Sequence, residues 1–373
     1  MRKAAFVYDE GLVARVIGED EEFNPSRLRY TYELLRAYRS FNKSTSKLVV
    51  PDRADEAALL SFHTKDYVEA VKCFSRGDRL NDAARYNFSE YGDNPVFPGM
   101  YEVSVRIAGA TLKAAALVAQ RKVDVAFNHS GGGHHANPNH ASGFCIFNDV
   151  VIAIKHLLTN GFRVAYVDID AHHADGIQNA FYDTDKVLTI SLHETGRLLF
   201  PGTGEPSEIG VGSGKGYSVN IPLAPYTDDE VYLWAFDQVV PVLVSSFNPD
   251  VVFTQLGCDT HYLDPMTQLN LTTEGYEGLI KRLWQLAPRW VAVGGGGYEM
   301  SVVARCWTLA YGIMTDREWP DEIPKSYQEL YGMKRLRDVE KPRIDSRIRK
   351  EARLFAEESV SAVKKLVFPL HGL

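Results

Sequence analysis

The chain has 373 residues, of which 45% are hydrophobic and 24% charged, and its formal net charge is −7. This composition is ordinary for a globular protein, and a chain of this length can bury enough apolar surface to fold without a disulfide or metal staple. The acidic balance, without a basic stripe, disfavours a nucleic-acid partner. No apolar run approaches the roughly 20 residues of a membrane span, and the N-terminal apolar stretch is too short for a signal peptide.

Cysteine usage points to a reducing compartment. The cysteines are far apart and form no CxxC pair: Cys73, Cys145, Cys258 and Cys306. A disulfide framework or a zinc ribbon is therefore disfavoured, and free thiols indicate a soluble cytoplasmic protein.

Short apolar runs rich in β-branched residues alternate with longer helical patterns through most of the chain. The predicted strands are 4–8, 47–50, 123–128, 163–170, 186–193, 217–223, 250–257 and 289–297. The predicted helices are 26–40, 101–120, 148–160, 227–246, 273–286 and 299–313. Strands that are apolar at nearly every position and are followed by helices are typical of an α/β fold whose parallel sheet is covered on both faces.

The sequence contains no internal repeat and no low-complexity linker, so we predict a single domain over residues 1–373. Its core covers about 1–315, and a helical extension covers about 316–373. Within the extension, residues 345–367 have the pattern of an amphipathic helix, with Asp345 or Ser346 as its cap. Residues 77–100 are polar and contain Gly and Pro, which predicts a long loop of the kind that is often functional.

Ionisable residues cluster where several predicted strands end. In an open parallel sheet, ligands bind at the carboxyl ends of the strands. Three glycines precede an adjacent histidine pair, and glycines let the backbone approach a ligand closely. The clustered residues are His134 and His135; Asp168, Asp170, His172, His173 and Asp175; His193; Asp259, His261 and Asp264; and Tyr298.

Each of these residues alone has an ordinary explanation, since a single His or Asp near a strand end is usually a helix cap or a solvated group. Together they are harder to explain, because two carboxylates and a histidine at one sheet edge repel and desolvate one another unless a cation joins them. Asp170 and His172 alternate in extended chain, so their side chains share one side. An Asp–His–Asp set with an open position is typical of a hydrolytic Zn²⁺ or Fe²⁺ site.

Several sequence blocks between about residue 25 and residue 313 resemble the histone deacetylase and acetoin-utilisation deacetylase family, in its class I-like branch. The blocks are FHTKDYVEAV (62–71), GDNPVF (92–97), GGGHHA (131–136), SGFCIFND (142–149), YVDIDAHHADG (166–176), SLH (191–193), FPGTGE (200–205), LGCDT with DPM (256–266) and GGGGY (294–298). The resemblance implies a single three-layer α/β/α domain related to arginase. It also implies a metal-dependent hydrolase that removes acetyl or other acyl groups from lysine side chains of a protein or peptide.

The resemblance also assigns residue roles. The metal ligands, for Zn²⁺ or alternatively Fe²⁺, are Asp170, His172 and Asp259. The catalytic set is His135 as general base and then acid, His134 as electrostatic support, Asp168 and Asp175 as their carboxylate partners, and Tyr298 as the donor to the substrate carbonyl. The substrate-binding set is Asp93 at the rim, Gly143 through its carbonyl, Phe144 and Phe200 as channel walls with Met266 nearby, and Arg27 at an internal acetate pocket.

Two K⁺ sites also follow from the resemblance. The matching positions are Asp168, Asp170, His172, Ser191 and Leu192 for one, and Phe181, Thr184, Val187 and Tyr217 for the other, largely through backbone oxygens.

Three departures bear on specificity. The class I pattern usually has tryptophan where Gly133 stands, which predicts a roomier deep pocket. His261 lies two residues past Asp259, where arginases hold a second metal-binding aspartate, so a second metal stays open. Polyamine-specific relatives carry a glutamate near Met266, and its absence here favours lysine.

Three alternatives remain: a deacetylase of small acylated amines or polyamines, a binuclear Mn²⁺ ureohydrolase-like enzyme, and a non-catalytic acyl-lysine binding module. The DxH spacing and GGGGY argue against the second, and the complete ligand and tyrosine set argues against the third.

Overall fold

Eight short strands account for the centre of the molecule in the computed structural model, which describes residues 2–13, 26–41, 44–89 and 92–373. The strands are β1 (Ala4–Val7), β2 (Ser46–Val49), β3 (Val125–Asn128), β4 (Val164–Asp168), β5 (Val187–Glu194), β6 (Ser218–Leu223), β7 (Val251–Gln255) and β8 (Trp290–Val293). They form one parallel sheet in the order β2-β1-β3-β8-β7-β4-β5-β6.

Helices connect and cover these strands. They are α1 (Ser26–Ala37), α2 (Glu56–Leu60), α3 (Lys65–Ser75), α4 (Met100–Ala119), α5 (Asp149–Thr159), α6 (Asp175–Ala180), α7 (Asp229–Phe247), α8 (Thr273–Leu286), α9 (Met300–Met314), α10 (Lys325–Tyr331) and α11 (Ser346–Leu366). Shorter 3-10 turns span Glu10–Leu12, Leu80–Tyr86, Gly212–Gly214 and Phe368–His371. Among the described helices, none combines the length and the apolar character that crossing a bilayer requires.

Alternate residues of each strand enter two different cores, because successive side chains point to opposite faces of a sheet. In β3, Phe127 packs in a core that also contains Val239 of α7 and Trp307 of α9. Its neighbour Ala126 packs on the other face, in a core that contains Val151 of α5. The sheet is therefore covered on both faces, and the predicted α/β single domain is confirmed.

The strand order determines where the functional loops lie. The strands β3, β8, β7, β4 and β5 are neighbours in the sheet although they are far apart in the chain. All of them are parallel, so the segments that follow their carboxyl ends emerge at one edge. This edge is the position at which open parallel sheets bind ligands.

The segment and the helix α11 that follow α9 pack against the core. Ala356, Val360 and Val363 of α11 join the same core as α7. Trp319 and Leu336 pack in a separate cluster with Leu34 and Tyr38, near α1. Asp345 caps α11 by accepting a hydrogen bond from the Arg347 backbone N–H at 2.8 Å, as predicted.

The predicted loop 77–100 is wrong in part. It contains the 3-10 turn Leu80–Tyr86, and α4 begins at Met100. Residues 90 and 91 of this predicted loop lie outside the described residues. The helices α2, α6 and α10 were not among the predicted helices, because each is too short to show a sustained 3.6-residue period. The prediction also missed α3, although its buried Tyr67, Val71 and Phe74 follow a helical period over 11 residues.

Candidate active site

Three buried side chains from two loops meet at the carboxyl edge of the sheet. Asp170 and His172 follow β4, and Asp259 follows β7, the strand beside it. One ligand atom from each lies within 4.8 Å of the other two. His172 Nδ1 is 3.2 Å from Asp170 Oδ1 and 3.0 Å from Asp259 Oδ2. The structure therefore brings together the three residues that the sequence suggested as metal ligands.

The electrostatics of this trio favour a shared positive charge. Burial, and then the charge of Asp170, raise the pKa of Asp259 to about 7. Burial lowers the pKa of His172, but hydrogen bonds to Asp170 and Asp259 outweigh it and raise the pKa to about 10. Two carboxylates and an imidazole in this position are stable with a proton on His172 or with a cation. The donor set is one that hydrolytic Zn²⁺ and Fe²⁺ sites use, so the residues fit such an ion.

Backbone amides and glycines hold the two carboxylates in place. Asp170 Oδ2 accepts a hydrogen bond from the Gly296 N–H at 2.6 Å, and Asp259 Oδ1 accepts one from the Ala171 N–H at 2.8 Å. A Cβ on Gly296 would lie 2.0 Å from Asp259 Oδ2, and a Cβ on Gly257 would lie 2.3 Å from Asp170 Oδ2. Both glycines are therefore needed for the close approach of the β7 and β8 loops to the carboxylates.

Two histidine–carboxylate pairs stand beside the trio. His134 Nδ1 is 2.8 Å from Asp168 Oδ2, and His135 Nδ1 is 2.6 Å from Asp175 Oδ1. The two imidazole rings are 4.0 Å apart between centroids. Tyr166 also donates a hydrogen bond to Asp168. In each pair the carboxylate binds Nδ1, so Nε2 is the ring nitrogen left for chemistry.

The two histidines have different proton affinities. Burial, and then the neighbouring His134, lower the pKa of His135 to about 4. Burial also lowers the pKa of His134, but the charges of Asp170 and Asp168 outweigh it and raise the pKa to about 9. His134 Nε2 lies 3.9 Å from Asp170 Oδ1, which explains the difference. At neutral pH His135 is therefore neutral, which leaves its Nε2 able to accept a proton, whereas His134 is protonated.

Asp149, at the start of α5, orients the glycine loop that carries both histidines. Its carboxylate accepts hydrogen bonds from the Gly133 N–H at 2.7 Å and from the Gly132 N–H at 3.1 Å. Thr111 also donates to this carboxylate. Sequence reasoning gave Asp149 no role, and the available signal was its place at the end of the SGFCIFND block.

A cavity opens onto these groups. Its lining includes Arg27, His134, His135, Gly143, Phe144, Asp170, His172 and Tyr298, all of them predicted site residues. The Phe200 ring packs edge-on against His135 at 5.0 Å, and the Phe144 ring lies 5.8 Å from the Tyr298 ring. A Cβ on Gly143, whose φ is +50°, would lie 2.5 Å from the His135 ring. Glycine at 143 is thus required for the wall to approach the histidine.

Tyr298 is held at its backbone. Its N–H donates to Asp264 Oδ2 at 2.8 Å, and Arg27 Nη1 donates to the carbonyl of the preceding Gly297, also at 2.8 Å. Burial, and then the charges of Asp259 and Asp170, raise the pKa of Tyr298 well above its usual range. The phenol therefore stays protonated and can donate a hydrogen bond. Sequence reasoning noticed Asp264 but did not connect it to the tyrosine.

The structure does not bring every predicted substrate residue to the cavity wall. Asp93 is exposed, in the segment that follows residues 90 and 91. Met266 is half-buried, and its N–H donates to Asp264 Oδ1 at 3.0 Å. Neither residue is part of the cavity lining formed by the described residues, and neither is Phe200, a predicted channel wall that is 42% exposed.

The predicted K⁺ positions form two groups. Asp168 and Ser191 are partners in the register of β4 and β5, and Leu192 follows Ser191, so the first group lies beside the trio. The second group surrounds the start of β5. Phe181 ends α6, Val187 begins β5, and the Tyr217 carbonyl accepts from the Thr189 N–H at 2.8 Å. Thr184 lies in the turn between α6 and β5.

His261 is engaged in protein contacts. Its Nε2 is 2.8 Å from Asp338 Oδ2, and its Nδ1 accepts from the Leu263 N–H at 3.2 Å. Both ring nitrogens of His261 are thus bonded to the protein, which argues against a second metal there. Within the described ranges, Asp170, His172 and Asp259 form the only group of three or more His, Cys, Asp or Glu that could hold a metal ion.

Gly133 is not simply an unoccupied tryptophan position. A Cβ there would lie 2.5 Å from the Phe147 carbonyl oxygen and 3.1 Å from Asp149 Oδ1. The backbone carbonyl of Phe147 thus occupies the place where a side chain at position 133 would begin. The predicted gain in pocket volume therefore does not follow from the glycine alone.

The fold and this site are those of a hydrolase family, and comparison with known proteins identifies it. The model of the histone deacetylase domain matches residues 21–314, so the chain belongs to the histone deacetylase family. It is 39% identical over 334 residues to the acetoin utilization protein AcuC of Bacillus subtilis (strain 168), an alignment that covers 88% of this chain and 86% of that protein. It is 36% identical over 336 residues to human histone deacetylase 1, covering 89% and 68%.

Solved structures agree. The crystal structure of an HDAC homolog from Aquifex aeolicus superposes with a TM-score of 0.87 at 30% identity, covering 96% of this chain and all of that one. A crystal structure of an HDAC homolog complexed with SAHA gives a TM-score of 0.86 at 30% identity, with the same coverage. The family prediction is confirmed, and the chain is a deacetylase-family hydrolase.

Proposed function

We propose that this protein is a Zn²⁺-dependent lysine deacetylase, with Fe²⁺ as the alternative ion. The observation that carries the proposal is the buried Asp170–His172–Asp259 trio beside two histidine–carboxylate pairs, with Asp170, His172 and both histidines lining one cavity. A divalent ion held by the trio supplies a Lewis acid that polarises the amide carbonyl and increases the acidity of water.

The chain's own residues then divide the proton transfers. His135 is the general base, because its Nδ1 is fixed by Asp175 and its pKa keeps it neutral. It then returns the proton to the leaving amine as general acid. His134 supplies electrostatic support, with Asp168 fixing its ring. Tyr298 donates a hydrogen bond from its phenol to the developing oxyanion, and burial keeps the phenol protonated.

The cavity walls suit an acyl-lysine. Phe144 in the lining, and Phe200, whose ring packs against His135 from outside the lining, would provide apolar faces for a four-carbon side chain, and the Gly143 carbonyl would accept from the substrate amide. Arg27 is a buried cation in the same lining and would suit a released carboxylate, and Asp93 and Met266 would act from outside the lining. A structural neighbour at 30% identity forms a complex with SAHA, which supports the use of SAHA as a probe of this cavity.

Two K⁺ sites belong to the same proposal. Two observations support it: Asp168 and Ser191 are register partners in β4 and β5, and the Tyr217 carbonyl lies beside β5, where it accepts from the Thr189 N–H at 2.8 Å. Oxygen ligands of this kind suit a hard cation. Flame photometry of extensively dialysed protein would test this directly.

The decisive experiment compares acetyl-lysine peptides, longer acyl-lysine peptides and acetylated polyamines as substrates, with Zn²⁺ and with Fe²⁺. We expect the acetyl-lysine peptide to be hydrolysed fastest and SAHA to inhibit. Faster hydrolysis of acetylated polyamines would instead favour the small-amine alternative. Two tightly bound Mn²⁺ ions per chain would favour the ureohydrolase-like alternative.

Replacement of the proposed oxyanion donor tests the mechanism. Tyr298→Phe should lower kcat by about 10²- to 10³-fold, the typical cost of losing one such donor, while metal content stays at one ion per chain. Tyr226→Phe removes a hydroxyl from an exposed tyrosine and should leave kcat unchanged. Unchanged turnover in Tyr298→Phe would contradict the mechanism.

A further inference from the structure

The loop that carries Asp259 is supported from behind by a segment outside the matched family domain. We call residues 319–341 the C-terminal strap; they follow the end of the histone deacetylase domain match at residue 314. In loop 259–266, Asp259 belongs to the metal trio, and the buried His261 contacts the strap. The strap makes this contact through Asp338.

Asp338 joins three elements. Its Oδ2 accepts hydrogen bonds from His261 Nε2 and from the Thr273 N–H at the start of α8, both at 2.8 Å. Its Oδ1 accepts from Arg305 Nη1 of α9 at 2.7 Å. Its own N–H donates to Thr273 Oγ1 at 2.9 Å. One side chain thus fixes the loop, α8 and α9 relative to one another.

The hydrogen bonds define the state of the His261 ring. Because the Leu263 N–H donates to Nδ1, the proton of a neutral ring lies on Nε2 and points at Asp338. His261 is 2% exposed, so water does not compete for either nitrogen. The ring therefore has one orientation, and that orientation depends on Asp338.

Along the chain, His261 stands between two residues that belong to the active site or support it. Asp259, two residues before it, belongs to the metal trio. Asp264, three residues after it, accepts a hydrogen bond from the Tyr298 backbone N–H at 2.8 Å. The Asp264 N–H in turn donates to the His261 carbonyl at 2.8 Å. A shift of the His261 ring would therefore move both a metal ligand and the support of the tyrosine.

We propose that Asp338 and His261 are positioning residues for the metal site, so that the C-terminal strap helps to fix the geometry of the active site. The inference rests on the proposed function for its chemistry, because Asp259 is a ligand in that proposal. It does not require any contact between the strap and the substrate.

The test is a metal-affinity comparison with matched variants. In Asp338→Asn, one acceptor oxygen becomes an amide that faces a donor, either Arg305 or the His261 and Thr273 pair. In His261→Gln the amide nitrogen replaces Nε2 as the donor to Asp338, whereas His261→Asn keeps only the acceptor toward Leu263. Arg337→Gln is the control, since Arg337 ties the strap to Glu277 of α8 by hydrogen bonds of 2.7 and 2.9 Å without touching loop 259–266.

We expect the Kd for Zn²⁺, measured by chelator competition without substrate, to rise about three- to tenfold in Asp338→Asn and His261→Asn, somewhat less than for direct partners of a ligand. The absorption spectrum of the Co²⁺-loaded protein should shift in the same two variants, and kcat should fall with KM little changed. In His261→Gln the Kd for Zn²⁺ should stay within about twofold of the wild-type value. Arg337→Gln should leave this Kd unchanged, although it lowers the Tm.

Equal changes in Asp338→Asn and Arg337→Gln, or no change in either, would overturn the positioning role. A wild-type protein that binds one ion but hydrolyses no acetyl-lysine peptide would contradict the proposed function, while the metal affinities would still decide this inference. A wild-type protein that binds no divalent ion would overturn both.

Discussion

Two buried histidines are each held by a carboxylate, His135 on the cavity side and His261 in loop 259–266 on the side of the strap, and they differ in which ring nitrogens are bonded to the protein. On the cavity side, Asp175 binds Nδ1 of His135 at 2.6 Å. On the side of the strap, Asp338 binds Nε2 of His261 at 2.8 Å, and the Leu263 N–H occupies Nδ1. Among the described residues, His135 Nε2 has no hydrogen-bond partner, and His135 lines the cavity.

The comparison shows that a histidine–carboxylate pair is not by itself a catalytic signal. A ring with one nitrogen facing a cavity can exchange a proton with a substrate. A ring with both nitrogens bonded to the protein instead fixes the backbone around it. The two carboxylates also differ, because Asp338 forms a second ion pair, with Arg305 at 2.7 Å.

The same substitution on each side gives the largest contrast. We expect His135→Gln to lower kcat by about 10²- to 10⁴-fold, the usual contribution of a general acid–base group, while His261→Gln keeps most of the activity. Steady-state kinetics on an acetyl-lysine peptide, with metal content measured on each sample, would show this. Similar losses in both variants would remove the distinction between the two sides.

The carboxylates behind the cavity histidines should have smaller effects. We expect Asp175→Asn to lower kcat roughly 10- to 100-fold by loosening the His135 ring. The corresponding Asp168→Asn should affect kcat and metal binding together, because the Asp170 N–H donates to Asp168 Oδ1 at 2.9 Å. Metal titration beside kinetics separates the two, and a loss of metal in Asp175→Asn but not in Asp168→Asn would reverse the assignment.

The sheet was predictable because seven of its eight strands are buried at every position, so each of these is visible as an apolar run between helical patterns. The edge strand β2 is the exception, since only Ser46 is buried in it. The strand at 163–170 and the strand at 250–257, for example, contain β4 and β7. The strand order was not predictable, because nothing in the local pattern of β7 states that it lies between β8 and β4. The order comes from packing of distant helices on the two faces.

The cavity side was also largely predictable, since Asp170, His172 and the histidine pair stand in short motifs after strands. The supporting contacts were not. Asp338 is 79 residues from Asp259 and stands in a charged segment without a motif, so only the fold shows that it reaches His261. Likewise, the space at Gly133 is set by the carbonyl of Phe147, a backbone atom that no residue type reveals.

Gly133 provides a test of how tightly the cavity side is packed. We expect Gly133→Ala to lower the free energy of unfolding by about 1–3 kcal/mol, because its Cβ would overlap the Phe147 carbonyl. Gly278→Ala is the control, since its Cβ would approach only the flexible Leu233 side chain, at 3.2 Å, within α8. Urea denaturation measures both, and an unaffected Gly133→Ala would show that the loop can move aside.

The smallest effect concerns pH and the side of the strap. Burial raises the pKa of Asp338, but hydrogen bonds from His261, the Thr273 N–H and Arg305 outweigh it and hold the pKa below its usual range. A lowered pKa stabilises the fold above the unfolded value of about 3.9 and ceases to do so as pH falls toward the folded value. Asp338→Asn should therefore cost about 1.5 kcal/mol at pH 7, allowing for partial solvent screening. The difference from wild type should shrink by roughly 1 kcal/mol between pH 5 and pH 3. Urea denaturation of both proteins across this range measures the slope, and a difference that stays constant would mean that Asp338 acts through shape alone and not through its charge.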